Sequence, residues 1–565
     1  MPHAGGAETG PGARSAVRVA QATGPAVLPP VMDLVDHVES PPMLLKTGGW
    51  RSQKPVYATH LAPCSAFCPA GNDVVGFVQA LARHGEAAAA AVLGRTTALS
   101  AVCGRVCPAP CMQGCNRVEY DGAVNIRALE RWIADHHPVA ESAIETTDDP
   151  KRIAVVGSGP AGLSAAYTLA RKGHRVTIYE GERELGGVLR TGIPTYRLPR
   201  EVLDREINAI LRLGVEVHTG EFLDEARIKN LSHRYDAVIL ASGLQSLRGV
   251  EGEGEKLAGV EQGIQFLHRV NLNGDAPKLS GTIVVLGGGN TAMDCARSAL
   301  RMGAERVVVA YRRTRAEMPA IAEEIEEAIH EGIEMRFLRQ PLGFAGSDKV
   351  EAVLLAEVEL GQPDDTGRRR PIVTQRRVRI MCDGVLMALG QSADPSLLPV
   401  DWELQEGRVH AHGKPTNVFA AGDFSTGEGT VAHAIGDGRR AADRALASLG
   451  HEVKIFARPD RAAAVPLTDI RLDHFATSHP AREFVLPVPG RKHQFDEVAR
   501  GLTSALESHR CFSCGDCTNC DTCLVYCPEG IIHRTETGYE IDYTYCKGCG
   551  ICVTECPRNA MEMTS

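Results

Sequence analysis

A chain of 565 residues, 44% hydrophobic and 23% charged, has room for three or four domains, each with a core of its own. Its formal charge of −9 disfavours general nucleic-acid binding. No run of 18 uninterrupted apolar residues occurs, and the Ala/Gly/Pro-rich start, Met1 to Pro30, lacks a signal-peptide core, so neither a membrane span nor secretion is expected and the reading is cytoplasmic.

In chain order, residues 1–40 read as a flexible tail and 41–150 as an N-terminal helical iron–sulfur domain. From Thr59 to His137 the pattern is helical, Ala-rich between Val74 and Val92, and interrupted by cysteines. These run Cys64-x3-Cys68-Pro69, then Cys103-x3-Cys107-x3-Cys111-x3-Cys115. The spacing suits a zinc knuckle or an iron–sulfur cluster, and a neighbouring flavin module favours the second. A polar linker, Thr146 to Lys151, leads to the strand Ile153–Val156 and the turn Gly157-x-Gly159-x-x-Gly162. There Gly157 permits the tight turn, Gly159 a close approach to pyrophosphate, and Gly162 tight helix–strand packing. Glu180, ending the next strand, can accept hydrogen bonds from a ribose. This opens a first dinucleotide-binding domain, 151–280, which resumes at 396–450.

A second such unit, 281–395, begins at Ile283–Leu286 and turns at Gly287-x-Gly289-x-x-Ala292. Here the strand leads to Arg312 and Arg313 instead of an acid, which favours a 2′-phosphate and hence NADPH, with NADH possible; otherwise the two arginines are simply solvated at a strand end. Ala237–Gly243 and Asp383–Gly390 read as strands crossing between the two nucleotide domains. In the returning part, Val418–Asp423 reads as a strand whose Gly422 and Asp423 reach a flavin's ribityl and phosphate groups. Thr430 and Val431 then open a helix whose N-terminus can stabilise the N1–C2=O edge of reduced FAD. Cys295 and Cys382 have no second cysteine nearby, which argues against thiol–disulfide exchange. The basic run Arg368 to Arg370, with Arg376, Arg377 and Arg379, reads as a solvated hairpin able to meet an acidic partner.

Residues 451–505 read as a linker arm that turns helical from Phe495 to His509. The last stretch, 506–565, carries Cys517-x2-Cys520-x2-Cys523-x3-Cys527-Pro528 and Cys546-x2-Cys549-x2-Cys552-x3-Cys556-Pro557. In such paired runs the fourth cysteine ligates the other cube. Cys517, Cys520, Cys523 and Cys556 are thus expected to hold one 4Fe–4S cluster, and Cys546, Cys549, Cys552 and Cys527 the second. Cys511 and Cys514 extend the three-residue period backwards and have no assigned role. Sixteen of the eighteen cysteines fall in the two terminal groups, a distribution that reads as metal ligation in a reducing compartment.

Cys103-Gly-Arg-Val-Cys-Pro-Ala-Pro-Cys111, Gly192–Pro199, Gly288–Asp294 and Tyr311–Pro319 together resemble the small subunit of bacterial glutamate synthase. The wider group includes part of dihydropyrimidine dehydrogenase and the large subunit of NADH-dependent ferredoxin:NADP reductase. The resemblance spans roughly residues 55–450, while the C-terminal module resembles two-cluster bacterial ferredoxins. It implies two Rossmann-like α/β domains in a glutathione-reductase-like arrangement, between a helical iron–sulfur domain and an α+β ferredoxin-like one. It also implies Gly187 and Arg197 at FAD, and Asn290 and Thr291 at NADPH. Carried over by position, Cys68, Cys107 and Cys111 would hold a cluster, with Glu130 at the non-cysteine position or else an ordinary helix-surface acid. The family's upstream Cys-x-x-Cys is missing, since Val56 to Thr59 has no thiol. Only Cys64, Cys115 and Cys103 remain for another cluster, so at least one N-terminal cluster is expected.

No acid, base or nucleophile stands out as catalytic beyond a bound flavin. The function expected is an oxidoreductase subunit passing electrons between NADPH, FAD and 4Fe–4S clusters, to or from a ferredoxin-like or 2-oxoacid oxidoreductase partner in a hetero-oligomer. The alternatives are a glutamate synthase small subunit feeding a glutamate-forming large subunit, and a non-catalytic electron-wire scaffold.

Overall fold

The computed structural model describes residues 46–137, 144–250, 252–272, 278–364, 367–427 and 429–565. The expected tail, 1–40, lies outside them. Two parallel sheets form the centre. In the first, Glu216–His218, Arg175–Tyr179, Arg152–Val156, Ala237–Leu240 and Lys414–Ala420 run parallel, and an antiparallel meander of Arg408–Ala411 and Trp402–Gln405 extends one edge. The second runs Glu334–Phe337, Arg306–Tyr311, Thr282–Leu286, Gly384–Met387 and Val260–Gln262, all parallel. Unbroken apolar strands such as Ile153–Val156 and Ile283–Leu286 are buried along their whole length, as strands covered on both faces must be. The basic run does lie on a hairpin: Val350–Pro363 pairs with Arg369–Met381.

The N-terminal domain is helical. Asp73 accepts from Gly76 N–H to cap Val74–His84, and Asn125 does the same from Ala128 N–H for Ile126–His136. The Ala-rich run is broken at Gly85, whose φ of 82° ends one helix and starts Glu86–Leu93. Gly104 lets Ser100–Val106 pack directly on Ile126–His136, for a Cβ there would sit 2.5 Å from Arg131 backbone. From the first sheet domain, Glu206 reaches across to accept from Ala101 N–H (2.6 Å) and Val102 N–H (3.0 Å), so its carboxylate closes the start of Ser100–Val106.

The stretch 451–505, read from the sequence as an arm, lies along the N-terminal domain and buries Val465, Ile470 and Leu502 in its core. The helix expected over Phe495–His509 does not form. Ala499–Gly501 pairs instead with Phe484–Val485, Gly501 has a φ of 84°, and only the six-residue 3-10 turn Ala505–Arg510 follows. Arg131 Nη1 donates to Ala499 O (2.8 Å), a tertiary contact that outbids local helix propensity. The first and last strands among the described residues meet. Lys54–Tyr57 pairs antiparallel with Met561–Thr564, and His60 N–H donates to Gly515 O (2.9 Å).

A buried ion network fixes the NADPH-side domain to its neighbours. Glu331, 1% exposed, takes bidentate hydrogen bonds from Arg297 (2.8 and 3.2 Å) and from Arg301 (2.7 and 3.0 Å), with Arg491 at 3.3 Å. Burial works against its charge, yet the hydrogen bonds from Arg301 and Arg297 hold the carboxyl down at about 2. Glu331→Gln leaves buried guanidiniums without their anion, so a loss of roughly 3–5 kcal/mol is expected. Thermal and urea unfolding against the parent, at one scan rate, checks this.

Candidate functional site

At the first glycine turn, Gly157 has a φ of 97° and a Gly162 Cβ would stand 1.9 Å from Gly157 O. No atom lies within 4 Å of a would-be Gly159 Cβ, so the turn opens onto space at the start of helix Pro160–Arg171. Gly187, with a φ of 50°, lies against this turn, its would-be Cβ 2.8 Å from Gly159 Cα. Glu180 is buried beside it and accepts from Ser158 N–H (2.8 Å), the Ser158 hydroxyl and Glu182 N–H (2.9 Å). Ser242, whose Cα is 3.3 Å from a would-be Gly157 Cβ, has a buried hydroxyl with no hydrogen-bond partner. A cradle that only glycine leaves open, with a buried unpaired hydroxyl beside it, fits a dinucleotide's pyrophosphate.

Gly422 (φ 65°) and Asp423 follow strand Lys414–Ala420, and Gly422 N–H donates to Asp437 (2.8 Å). Thr430 caps helix Val431–Ser448 by accepting from His433 N–H. Two glycines let this helix approach its neighbours: a Cβ at Gly438 would lie 2.1 Å from Ala161 O, and one at Gly436 would lie 2.0 Å from Pro69 O. The flavin-side helix is thereby pressed against the residue that follows Cys68. Arg197, expected at the flavin, is engaged in a buried ion cluster. Its buried guanidinium binds Asp294 (2.8 and 2.9 Å) and Glu324 (3.0 Å), because an unpaired cation at this depth is untenable.

The second turn borders a cavity of about 530 Å³. Gly287–Gly289 form one wall, Gln340–Leu342 another, and Arg248, Arg312, Arg313 and Arg368 bring four guanidiniums to it. Arg312 is exposed; burial and the charges of Arg313, Arg368 and Arg248 lower its pKa. Arg313 is committed differently from expectation: Nε donates to Arg369 O (2.7 Å) and Nη2 to Asp364 (2.9 Å). Arg368, read as part of a solvated hairpin, belongs to the cavity, and Arg248 carried no sequence signal because it comes from a distant loop. Asn290 and Thr291 open helix Asn290–Arg301, but Asn290 Oδ1 accepts from Ile321 N–H (2.9 Å) and neither side chain lines the cavity.

The N-terminal thiols Cys68, Cys107 and Cys111 face Glu130 inside the helical domain. Burial pushes Cys107 up to about 12, with Glu130 adding to it, and Cys68 up to about 11. Burial also raises Cys111, with Cys68, Cys107 and Glu130 contributing. Glu130 is 7% exposed, so it is not a surface acid; burial and then Glu206 raise it to about 8, and Asn72 donates to it at 3.3 Å. Cys103, 2% exposed, sits behind this group. At the other end Cys517, Cys520, Cys523 and Cys556 line one cavity, with the Tyr57 hydroxyl 3.2 Å from Cys523 Sγ. Cys527, Cys546 and Cys552 share the small core of the same module, and Cys549 is exposed. Cys295 and Cys382 are buried singly. Among the described residues no group of His, Cys, Asp or Glu side chains is arranged to hold a single metal ion. The soft, buried sulfur donors fit iron–sulfur cores.

Residues 151–438 match the family model described as pyridine nucleotide-disulphide oxidoreductase. Residues 56–142 match dihydropyrimidine dehydrogenase domain II with its 4Fe–4S cluster, and 516–561 a 4Fe–4S dicluster domain. The chain is 40% identical over 419 residues to the NADP(+)-dependent formate dehydrogenase subunit beta of Moorella thermoacetica, covering 67% of this chain and 59% of that protein. It is 33% identical to the NADPH-Fe(3+) oxidoreductase subunit beta of Geobacter sulfurreducens, over 86% of this chain and 80% of that one. It is 36% identical to the glutamate synthase [NADPH] small chain of Escherichia coli, over 67% of this chain and 87% of that one. The chain thus spans little more than half of the first relative's length. FAD, NADPH and 4Fe–4S clusters in the N- and C-terminal parts are its cofactors. No helix among the described residues is long and apolar enough to cross a membrane.

Gly162→Val would drive a side chain into Gly157 O and deform the turn. The variant is expected to purify with less than about a tenth of the parent's flavin, a drop of at least ~1.4 kcal/mol in binding, read from the flavin-to-protein ratio after acid release.

Proposed function

Because the chain belongs to the pyridine nucleotide-disulphide oxidoreductase family, we propose that it is the NADPH-oxidising subunit of a hetero-oligomeric complex. In this reading it exchanges electrons with a partner subunit or ferredoxin through clusters at its C-terminal end. Bound FAD converts the two electrons of a hydride from NADPH into the single electrons that 4Fe–4S clusters accept. The residues do the positioning. Gly157, Gly159, Gly162 and Gly187 admit the FAD pyrophosphate, Glu180 stands at its ribose, and the capped start of Val431–Ser448 presents backbone N–H groups to the flavin edge. Gly287 and Gly289 admit the second dinucleotide, and Arg248, Arg312 and Arg368 favour its 2′-phosphate.

The observation that carries the reading is the contact at Gly436. The helix capped by Thr430 abuts Pro69 O, so the segment bearing Cys68 begins where the flavin domain ends. Cys68, Cys107, Cys111 and Glu130 would hold the cluster on that side of the contact, which would supply a one-electron carrier beside the flavin domain. At the far end the two crossed sets, Cys517, Cys520, Cys523, Cys556 and Cys546, Cys549, Cys552, Cys527, hold the last two. Of the three relatives, the Geobacter subunit is matched over the largest share of this chain. That favours an acceptor of single electrons over a glutamate-forming partner. The many unpaired thiols suit the reducing cytoplasm.

Anaerobic NADPH is expected to bleach the flavin. Arg312→Ala and Arg368→Ala should each weaken NADPH roughly tenfold, the loss of one charge-assisted contact, and leave NADH unaffected. Stopped-flow titration with both nucleotides decides. Bleaching by NADH alone, or equal loss for both nucleotides, would refute the NADPH assignment.

A further inference from the structure

Of the seven thiols outside these assignments, four stand together, two from each cysteine-rich part of the chain. Cys64, Cys115, Cys511 and Cys514 line a single internal cavity, walled by apolar side chains such as Val74, Val78 and Ile126. Cys64 and Cys514 are buried, and Cys115 and Cys511 partly buried. They are not arranged as a sequence run would bring them. The antiparallel pairing of Lys54–Tyr57 with Met561–Thr564 folds the ferredoxin-like module back onto the helical domain, and His60 N–H to Gly515 O fastens the two cysteine-bearing segments side by side.

We propose that Cys64, Cys115, Cys511 and Cys514 ligate a further 4Fe–4S cluster, assembled from both ends of the chain, which links the N-terminal cluster to the C-terminal pair.

The surroundings suit a cluster that its four thiolates make negatively charged overall. Asn116 Nδ2 donates to Cys514 Sγ (3.3 Å) and Ser513 N–H to Cys511 Sγ (3.3 Å), hydrogen bonds of the kind that stabilise ligated sulfur. Arg117 and Arg510 stand beside the cavity. They are held in place by Asp121 and Glu507. All four are free cysteines, so no disulfide accounts for them.

Position gives the cluster its use. Cys64 and Cys115 each lie four residues from a ligand proposed for the N-terminal cluster, Cys68 and Cys111 respectively. Cys514 lies three residues from Cys517, a ligand of the next. Each neighbouring pair of cages is joined by a single turn of backbone. Without this cluster the wire is interrupted between the helical domain and the ferredoxin-like module. A zinc ion at the same thiols would brace the junction and carry no electron, and that is the competing outcome.

The inference rests on the proposed ligand sets on either side but not on NADPH as donor, so the test is a metal count. The full chain, purified without oxygen, is expected to contain ~16 iron and ~16 acid-labile sulfide per flavin, four cubes instead of three. Cys511→Ser/Cys514→Ser and Cys64→Ser/Cys115→Ser should each fall to ~12 iron, keep their flavin, and lose the same resonance from the EPR spectrum of the dithionite-reduced protein. A parent count of ~12 iron, with or without one zinc, overturns the proposal, as does a Cys511→Ser/Cys514→Ser protein that retains ~16. If that variant does not fold, the parent's count of iron, sulfide and zinc, with its intact mass under native conditions, still decides. Failure of NADPH to bleach the flavin beside a count of ~16 would remove the NADPH reading and leave the cluster standing.

Discussion

The antiparallel pairing of Lys54–Tyr57 with Met561–Thr564 governs what the two cysteine-rich ends can do together. A ladder between residues separated by some five hundred positions has a large loop-closure cost. It persists because it is one of several contacts made by the same two surfaces. Arg51 donates to Tyr543 O (2.6 Å), the Tyr543 hydroxyl to Pro55 O (2.7 Å), and Tyr57 stacks on Tyr539 at 5.9 Å. Arg510 and Arg117 add a buried ion cluster with Asp121 and Glu507 on the other side of the junction. The C-terminal module is therefore part of the N-terminal domain's surface, not a bead on a tether. Rigid placement is what electron transfer demands, since a swinging module would set its own rate by motion.

A second junction, between the two sheet domains, follows a different rule. It is ionic. Arg197 and Tyr196 from the first domain meet Asp294, Arg297 and Glu324 from the second, with Arg297 4.7 Å and Arg301 4.0 Å from the Tyr196 ring centre. Such a cluster contributes less to stability than apolar residues of equal volume would, but it tolerates only one relative orientation. A nicotinamide and a flavin held on separate domains need their relative orientation fixed, because hydride transfer depends on geometry. This explains why a residue with the sequence credentials of a cofactor ligand, Arg197, is spent on orientation.

What the sequence disclosed was local. The glycine turns, the crossed cysteine runs and the acid at Glu180 are patterns of short range, in which spacing alone implies the geometry. What it hid was brought together by folding. Arg248 and Arg368 reach the nucleotide cavity from a loop and a hairpin far from Gly287. The arm's burial of Val465 and Ile470 could not be seen because its own composition is polar and Pro-rich. Phe495–His509 has a helical pattern that loses to Gly501 and to the hydrogen bond from Arg131. Cys511 and Cys514 are the sharpest case. Read along the chain they are surplus to a complete motif; read in space they stand across a cavity from Cys64 and Cys115.

Exposure gives this row of cages a direction. Cys64, Cys103, Cys107 and Cys111 are all buried, whereas Cys517, Cys520 and Cys549 reach the surface. Solvent and hydrogen bonding at the sulfurs are among the main determinants of cluster potential. Clusters sealed in the helical domain are shielded from both solvent and stray oxidants, while the outermost ones are open to a partner. Val525, Tyr526 and Ile551 leave apolar side chains on the surface of the same small module. An acceptor that covered them would also exclude water from the exposed thiolates and shorten the final step. In the reading proposed above, the buried thiols would keep their clusters from water and the exposed ones would meet a partner, and the pairing of Lys54–Tyr57 with Met561–Thr564 brings both groups into one part of the fold.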